Sequence, residues 1–131
     1  MLTREAAHTV RIVQFLATPE VLREGTTAMD IHAALGIPGI LLRGILRRLT
    51  VAGIVHSKRG RTGGVNLEEK ALKLSVLDVL NAVNAKKARN PNPWDPNCGK
   101  ANDAVCALFC KAYAKTQEVL ANTTVAQLVE G

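Results

Sequence analysis

Three cysteines, Cys98, Cys106 and Cys110, are the residues whose type and spacing best suit chemistry. Cys106 and Cys110 are four apart, which puts both thiols on one face wherever the chain is helical. Cys98 lies eight residues earlier, in a stretch rich in Asn, Pro and Lys that reads as a loop. Thiolates from a loop and one helical face can converge on a single soft metal centre, iron–sulfur or zinc, leaving one position for another ligand. The C-x7-C-x3-C spacing matches no standard zinc or ferredoxin pattern, and a cysteine on a packed helix also serves as a small buried hydrophobe. Both readings stay open on spacing alone. No histidine follows Cys98, so a Cys–His nucleophile has no partner there. His8, His32 and His56 all fall in the N-terminal half. Glu5 and His8 are the candidates for a fourth ligand, donated from a first helix to a centre held by a partner subunit.

The second chemical feature is charge. Between Asp30 and Glu68 the chain holds no acidic residue, while Arg43, Arg47, Arg48, Lys58, Arg59 and Arg61 fall inside that stretch. Solvated surfaces normally interleave both signs, so a one-sided run predicts a phosphate-facing surface. The net charge of +6 points the same way. Aromatic residues make up only 3% of the chain, which disfavours base stacking of the kind single-stranded nucleic-acid binders use.

These residues need elements to position them. A first helix is predicted over Thr3 to Ala17, and Pro19 with the polar REGTT stretch marks a connection. A short helix follows from Ala28 to Leu35, with Thr27 and Asp30 at capping-box distance and Gly36 closing it. A third helix starts at Pro38 as its first-turn residue and ends before Gly53. Leu42, Ile45, Leu46 and Leu49 form its buried stripe, and Arg43 and Arg47 lie on a different face, with Arg48 beside them. Two helices joined by a short glycine-bearing turn are a helix-turn-helix, the second helix entering the major groove. Residues 54–58 and 65–67 read as strands around Arg59-Gly60-Arg61-Thr62-Gly63-Gly64, a hairpin wing. Gly63 and Gly64 let its backbone approach DNA, and Lys58, Arg59 and Arg61 carry its charge. The glycine-rich tip lacks the GK[ST] of a nucleotide-phosphate loop. Leu74 to Ala85 resumes helical spacing with Ser75 and Asp78 as a capping box. A long helix runs from Ala104 to Ala121, and a last short one from Val125 to Val129 starts at Thr124 with Gln127.

The expected architecture is mainly α with a small β-hairpin: a winged helix-turn-helix over residues 1–85, a cysteine-containing loop over 86–102, and a dimerisation helix with a C-terminal segment over 103–131. A long apolar helix in a 131-residue chain needs a surface to pack on, and a second copy matches the palindromes such proteins read. Hydrophobic residues at 47% supply a core. No signal-peptide h-region and no membrane-length apolar run occur, so the expectation is a cytoplasmic protein with no membrane partner. An odd number of cysteines argues against a disulfide framework. No acid–base or nucleophile constellation suggests an enzyme.

The sequence resembles the winged-helix regulators typified by IscR, NsrR and CymR, over nearly its whole length. Leu2-Thr3-Arg4 and Arg11 match that family's first helix. Gly36-Ile37, Leu42, Ile45-Leu46, Leu49 and Ala52-Gly53-Ile54-Val55 match its recognition helix and exit. Ser57-Lys58-Arg59-Gly60 with Gly63-Gly64 match the wing, Leu77-Asp78-Val79 the next helix, and Thr123 to Leu128 the C-terminal end. The resemblance implies a homodimeric regulator, a repressor or a dual regulator, on a palindromic double-stranded DNA operator. It also implies an iron–sulfur cluster on Cys98, Cys106 and Cys110 that reports redox state or a small molecule. The cysteine gaps of seven and three residues depart from the family's usual five, its downstream histidine is absent, and an N-terminal aspartate of some members appears as Ala7. Arg43 stands where some members carry a base-reading glutamate, so the operator should differ; arginine suits a guanine edge. Two rivals remain: a regulator without a cluster, and an interaction module that controls a partner enzyme and binds DNA weakly.

Overall fold

The computed structural model describes residues 3–58, 64–84 and 104–130. Helix α1 spans Arg4–Leu16, and the Ala6 N–H donates to Thr3 Oγ1 at 3.0 Å to cap it. It buries Ala6, Thr9, Ile12, Val13 and Leu16, one stripe at helical spacing. The single polar member, Thr9, donates its hydroxyl to the Glu5 carbonyl at 2.8 Å and so enters the core without an orphaned group. A short helix the sequence reading took as connection, α2, covers Pro19–Glu24. Pro19 starts it rather than preventing it, because a first-turn residue needs no N–H.

Helix α3 (Ala28–Leu35) is capped by Thr27, whose Oγ1 accepts from the Asp30 N–H at 3.1 Å. It ends at Gly36 in the left-handed region, φ 68°, where a side chain would be strained. Helix α4 covers Gly39–Val51. Pro38 is its N-cap, with φ −52° and ψ 137°, one position before the expected first turn; the extended ψ keeps it outside the helix. Leu42, Ile45, Leu46 and Leu49 are the buried stripe of α4, as its periodicity requires.

Strands β1 (Val55–Lys58) and β2 (Gly64–Leu67) pair antiparallel, with Val55 opposite Leu67 and Lys58 opposite Gly64. Val55, Val65 and Leu67 point into the core. The outer edge of β2 is not left open. Thr26 exchanges two backbone hydrogen bonds with Val65, 3.2 and 2.6 Å long, so the wing is tied to the segment before α3. A 3-10 turn over Glu69–Lys73, absent from the sequence reading, plugs Ala71 into the core.

Helix α5 (Val76–Asn84) opens with the reciprocal Ser75–Asp78 box, at 3.0 and 3.1 Å. Helix α6 spans Ala104–Ala121 and α7 Val125–Glu130, the latter opening with the Thr124–Gln127 box. The C-terminal end is stitched back to the winged unit. Val76 N–H donates to the Thr123 carbonyl and Val125 N–H to the Leu74 carbonyl, at 2.8 and 2.9 Å. Gln14 adds a side-chain bond to the Leu128 carbonyl. Val125 belongs to the same core cluster as Ile12, Ile31, Ile45 and Leu49. Thus α7, grouped with the third segment by sequence, shares its core with the first. Among the described residues no helix is long and apolar enough to cross a membrane.

Candidate nucleic-acid interface and thiol pair

The recognition element is built from α3, the Gly36–Pro38 turn and α4. His32 Nδ1–H donates to the Ile37 carbonyl at 2.5 Å, a bond that fixes the turn because a carbonyl only accepts. Ile31, Ile37, Leu42 and Ile45 are sealed in the core, so the angle between the two helices rests on apolar packing. This frees the opposite face of α4 for a ligand. Arg43 and Arg47 are exposed on it, as the spacing requires.

Arg48 behaves differently. Its guanidinium forms an ion pair with Glu5 of α1, and its Nε donates to the Gly44 carbonyl at 3.3 Å. The side chains are 26% and 35% exposed, so solvent screens the pair only in part. The expectation had Arg48 on a DNA phosphate. In the structure it links the recognition helix to α1, and a phosphate contact would require breaking that pair. The same pairing gives Glu5, a candidate metal ligand by sequence, a partner of its own. Nothing local in the sequence signals a contact across 43 positions (48 − 5).

At the wing, the described hairpin ends at the Lys58–Gly64 pair. Arg59, Arg61 and Gly63 lie outside the described residues, as does the Lys58 side chain. Gly64 is half-buried, and a Cβ there would meet Asn66 Nδ2 and the Thr26 carbonyl at ordinary contact distance. The glycine with a strict requirement is Gly25, which the sequence reading passed over. Its φ is 78°, and a Cβ would come within 2.7 Å of Asn66 Oδ1. It lets α2 end directly against β2.

Helix α6 carries the thiols. It has no buried residue, and Val105, Leu108, Phe109 and Val119 are all exposed. Cys106 and Cys110 are half-buried, with their sulfurs 4.0 Å apart. Two thiolates on one tetrahedral ion at 2.3 Å bond lengths stand about 3.8 Å apart, so the pair fits chelation of a soft metal with little movement. Cys98 lies outside the described residues. Among the described residues no three His, Cys, Asp or Glu side chains gather at one point, so His8 and Glu5 do not meet the pair within one chain. His8 Nδ1 is sealed from solvent without a partner among the described residues, which leaves Nε2 as the nitrogen it could offer.

Beside the C-terminal half of α6 lies an apolar groove of about 440 Å³, lined chiefly by Ala6, Val10, Val76, Leu80, Leu120 and Leu128. Among the described residues none fills the groove, and Val105, Leu108 and Val119 of α6 stay exposed.

The family model for Rrf2, described as an iron-dependent transcriptional regulator, matches residues 2–131. The chain belongs to the Rrf2 family. Rv1287 of Mycobacterium tuberculosis, whose provisional name is HTH-type transcriptional regulator, is 31% identical over 134 residues, covering 99% of this chain and 81% of that protein. Among solved structures, this Rrf2 chain resembles IscR of T. potens with a TM-score of 0.78 at 20% identity, covering 99% of this chain and 86% of that one. It resembles CymR of Staphylococcus aureus with a TM-score of 0.76 at 21% identity, covering 98% of each. At those identities the likeness speaks for the fold: a mainly helical winged helix with a two-stranded hairpin. The family is one of DNA-binding transcriptional regulators rather than enzymes.

Proposed function

We propose that the chain is a homodimeric repressor that reads a palindromic operator and responds to redox state or a small molecule through an iron–sulfur cluster. The observation that carries this reading is α6. Eighteen residues long, it has no fully buried residue among the described residues, while Val105, Leu108, Phe109 and Val119 are exposed. An exposed apolar surface on this scale marks an interaction site, and a second copy supplies a matching helix and groove.

In the dimer, Arg43 and Arg47 of each protomer face adjacent major-groove segments, and Lys58, Arg59, Arg61, Gly63 and Gly64 approach the flanking minor groove. Arg43 hydrogen-bonds a guanine edge, and Glu5 holds Arg48 so that α4 keeps its angle to α1. Cys98, Cys106 and Cys110 would hold the cluster, with His8 as a fourth ligand reaching across the dimer. When bound, the cluster supplies a charge and ligand set that alter with oxidation. The 4.0 Å thiol pair supports that donor set. Cys106 and Cys110 share the half-buried face of α6 with Tyr113, Gln117 and Leu120, so a change in their spacing would alter how α6 lies against its neighbours and, through it, how the two reading heads are held. That couples to DNA only as far as the two arrangements differ in affinity.

The test is protein purified without oxygen, examined by visible absorption, iron and sulfide analysis, and sedimentation equilibrium. A coloured dimer that loses iron and sulfide together in Cys106→Ala is the expected result. A colourless, iron-free dimer that still binds a palindrome removes the cluster, and a monomer at micromolar concentration removes the dimer.

A further inference from the structure

The outer face of α4 carries two residues that packing among the described residues does not account for. Ile40, in the first turn, is 90% exposed. Gly44, one turn on, sits mid-helix, and a Cβ built there meets nothing within 4 Å. Both choices go against local stability. A glycine inside a helix is destabilising relative to alanine, and an exposed β-branched residue gains nothing from burial. Neither packing nor backbone geometry requires them, since Gly44 is in regular helix and without positive φ.

Their position explains them. Ile40, Arg43, Gly44 and Arg47 recur at i, i+3, i+4 and i+7, the face opposite Leu42, Ile45 and Leu49. An apolar knob and a bare stretch of backbone thus lie beside two exposed guanidiniums. The only apolar feature on the floor of the major groove is the 5-methyl group of thymine. Resting on the DNA-reading function above, we infer that Ile40 packs on a thymine methyl in each half-site. Gly44 removes the side chain that would hold α4 away from that base. Ile40 and Gly44 are therefore specificity-determining residues alongside Arg43. The floor they read is a thymine next to the guanine that Arg43 addresses.

The experiment uses the full chain. An operator is first selected from a random duplex pool, and each thymine is then replaced singly by deoxyuridine, which removes the methyl and nothing else. One thymine per half-site should lose about fourfold in affinity, the value of one buried methyl-sized group. Ile40→Ala should bind the thymine and deoxyuridine operators equally, while its melting temperature stays that of the parent. Gly44→Ala should melt no lower than the parent and lose at least tenfold in affinity for the operator, keeping its affinity for unrelated DNA. An enriched operator indifferent to every deoxyuridine overturns the inference alone, as does a thymine preference that survives in Ile40→Ala. A pool with no enriched sequence overturns the DNA-reading function together with it.

Discussion

The α3–α4 pair and α6 are both amphipathic helical segments, yet the chain treats them in opposite ways. Helix α4 sinks Leu42, Ile45 and Leu49 completely into the core and turns its charge outward. Helix α6 leaves Leu108 at 63% and Val119 at 65% exposure. The reading head is therefore a finished object, and its surface is available to a ligand because its packing is already satisfied. The long helix is left largely uncovered by the described residues, and its completion depends on what lies beyond them. Stability of the head should be a property of the chain; order in α6 should be a property of concentration.

That contrast can be broken most sharply at Ile45. Ile45→Ala should cost about 2–5 kcal/mol in denaturant unfolding, since a cavity opens in a sealed core. An alanine at exposed Leu108 should leave the unfolding of the head within about 0.5 kcal/mol; a large loss there would show that α6 is part of the monomer's core. Next in size, Phe109→Asp should weaken self-association by 2 kcal/mol or more, about thirtyfold, in sedimentation equilibrium. The head's circular dichroism should not change. An unchanged dissociation constant would place the interface elsewhere. Arg43→Ala should lose about 1–3 kcal/mol at one operator position and nothing at the others, read by binding to a set of singly mutated operators. A uniform loss at all positions would make Arg43 a phosphate contact. Smallest is Glu5→Gln, which releases Arg48. The head should lose at most about 1 kcal/mol. The slope of log affinity against log salt should steepen by about 0.9 for each added phosphate contact. A slope that stays the same would mean that freed Arg48 does not reach the backbone of DNA.

The difference between the two regions also explains what the sequence disclosed. The stripe on α4 and the boxes at Ser75–Asp78 and Thr124–Gln127 are local patterns, three to seven residues wide, and the structure reproduces each of them. Helix α2 was hidden because six residues carry no periodicity and Pro19 serves as readily to break a helix as to begin one. The 3-10 turn at Glu69–Lys73 is too short for any pattern, and only the burial of Ala71 gives it away. Contacts distant in sequence left no trace at all: Thr26 on the edge of β2, Asn66 against Gly25, Glu5 on Arg48. For the candidate site, Arg43, Arg47 and the Cys106–Cys110 pair could be placed from spacing. Arg48 could not, because its partner is set by the packing of α4 beside α1. Ile40 and Gly44 drew no notice, since a hydrophobic residue and a glycine signal function only once their exposure is known.

The backbone stitches at Thr123 and Val125 fix one end of α6 to the body, and Cys106 lies seventeen residues from the nearer of them at its other end. At 1.5 Å per residue that is an arm of about 25 Å with its pivot beside α5 and α7. A sideways displacement of 1 Å at Cys106 turns such an arm by roughly 2.3°. The thiols thus sit where a small chemical event has the greatest leverage, and the pivot lies against α5, which packs in turn on α4.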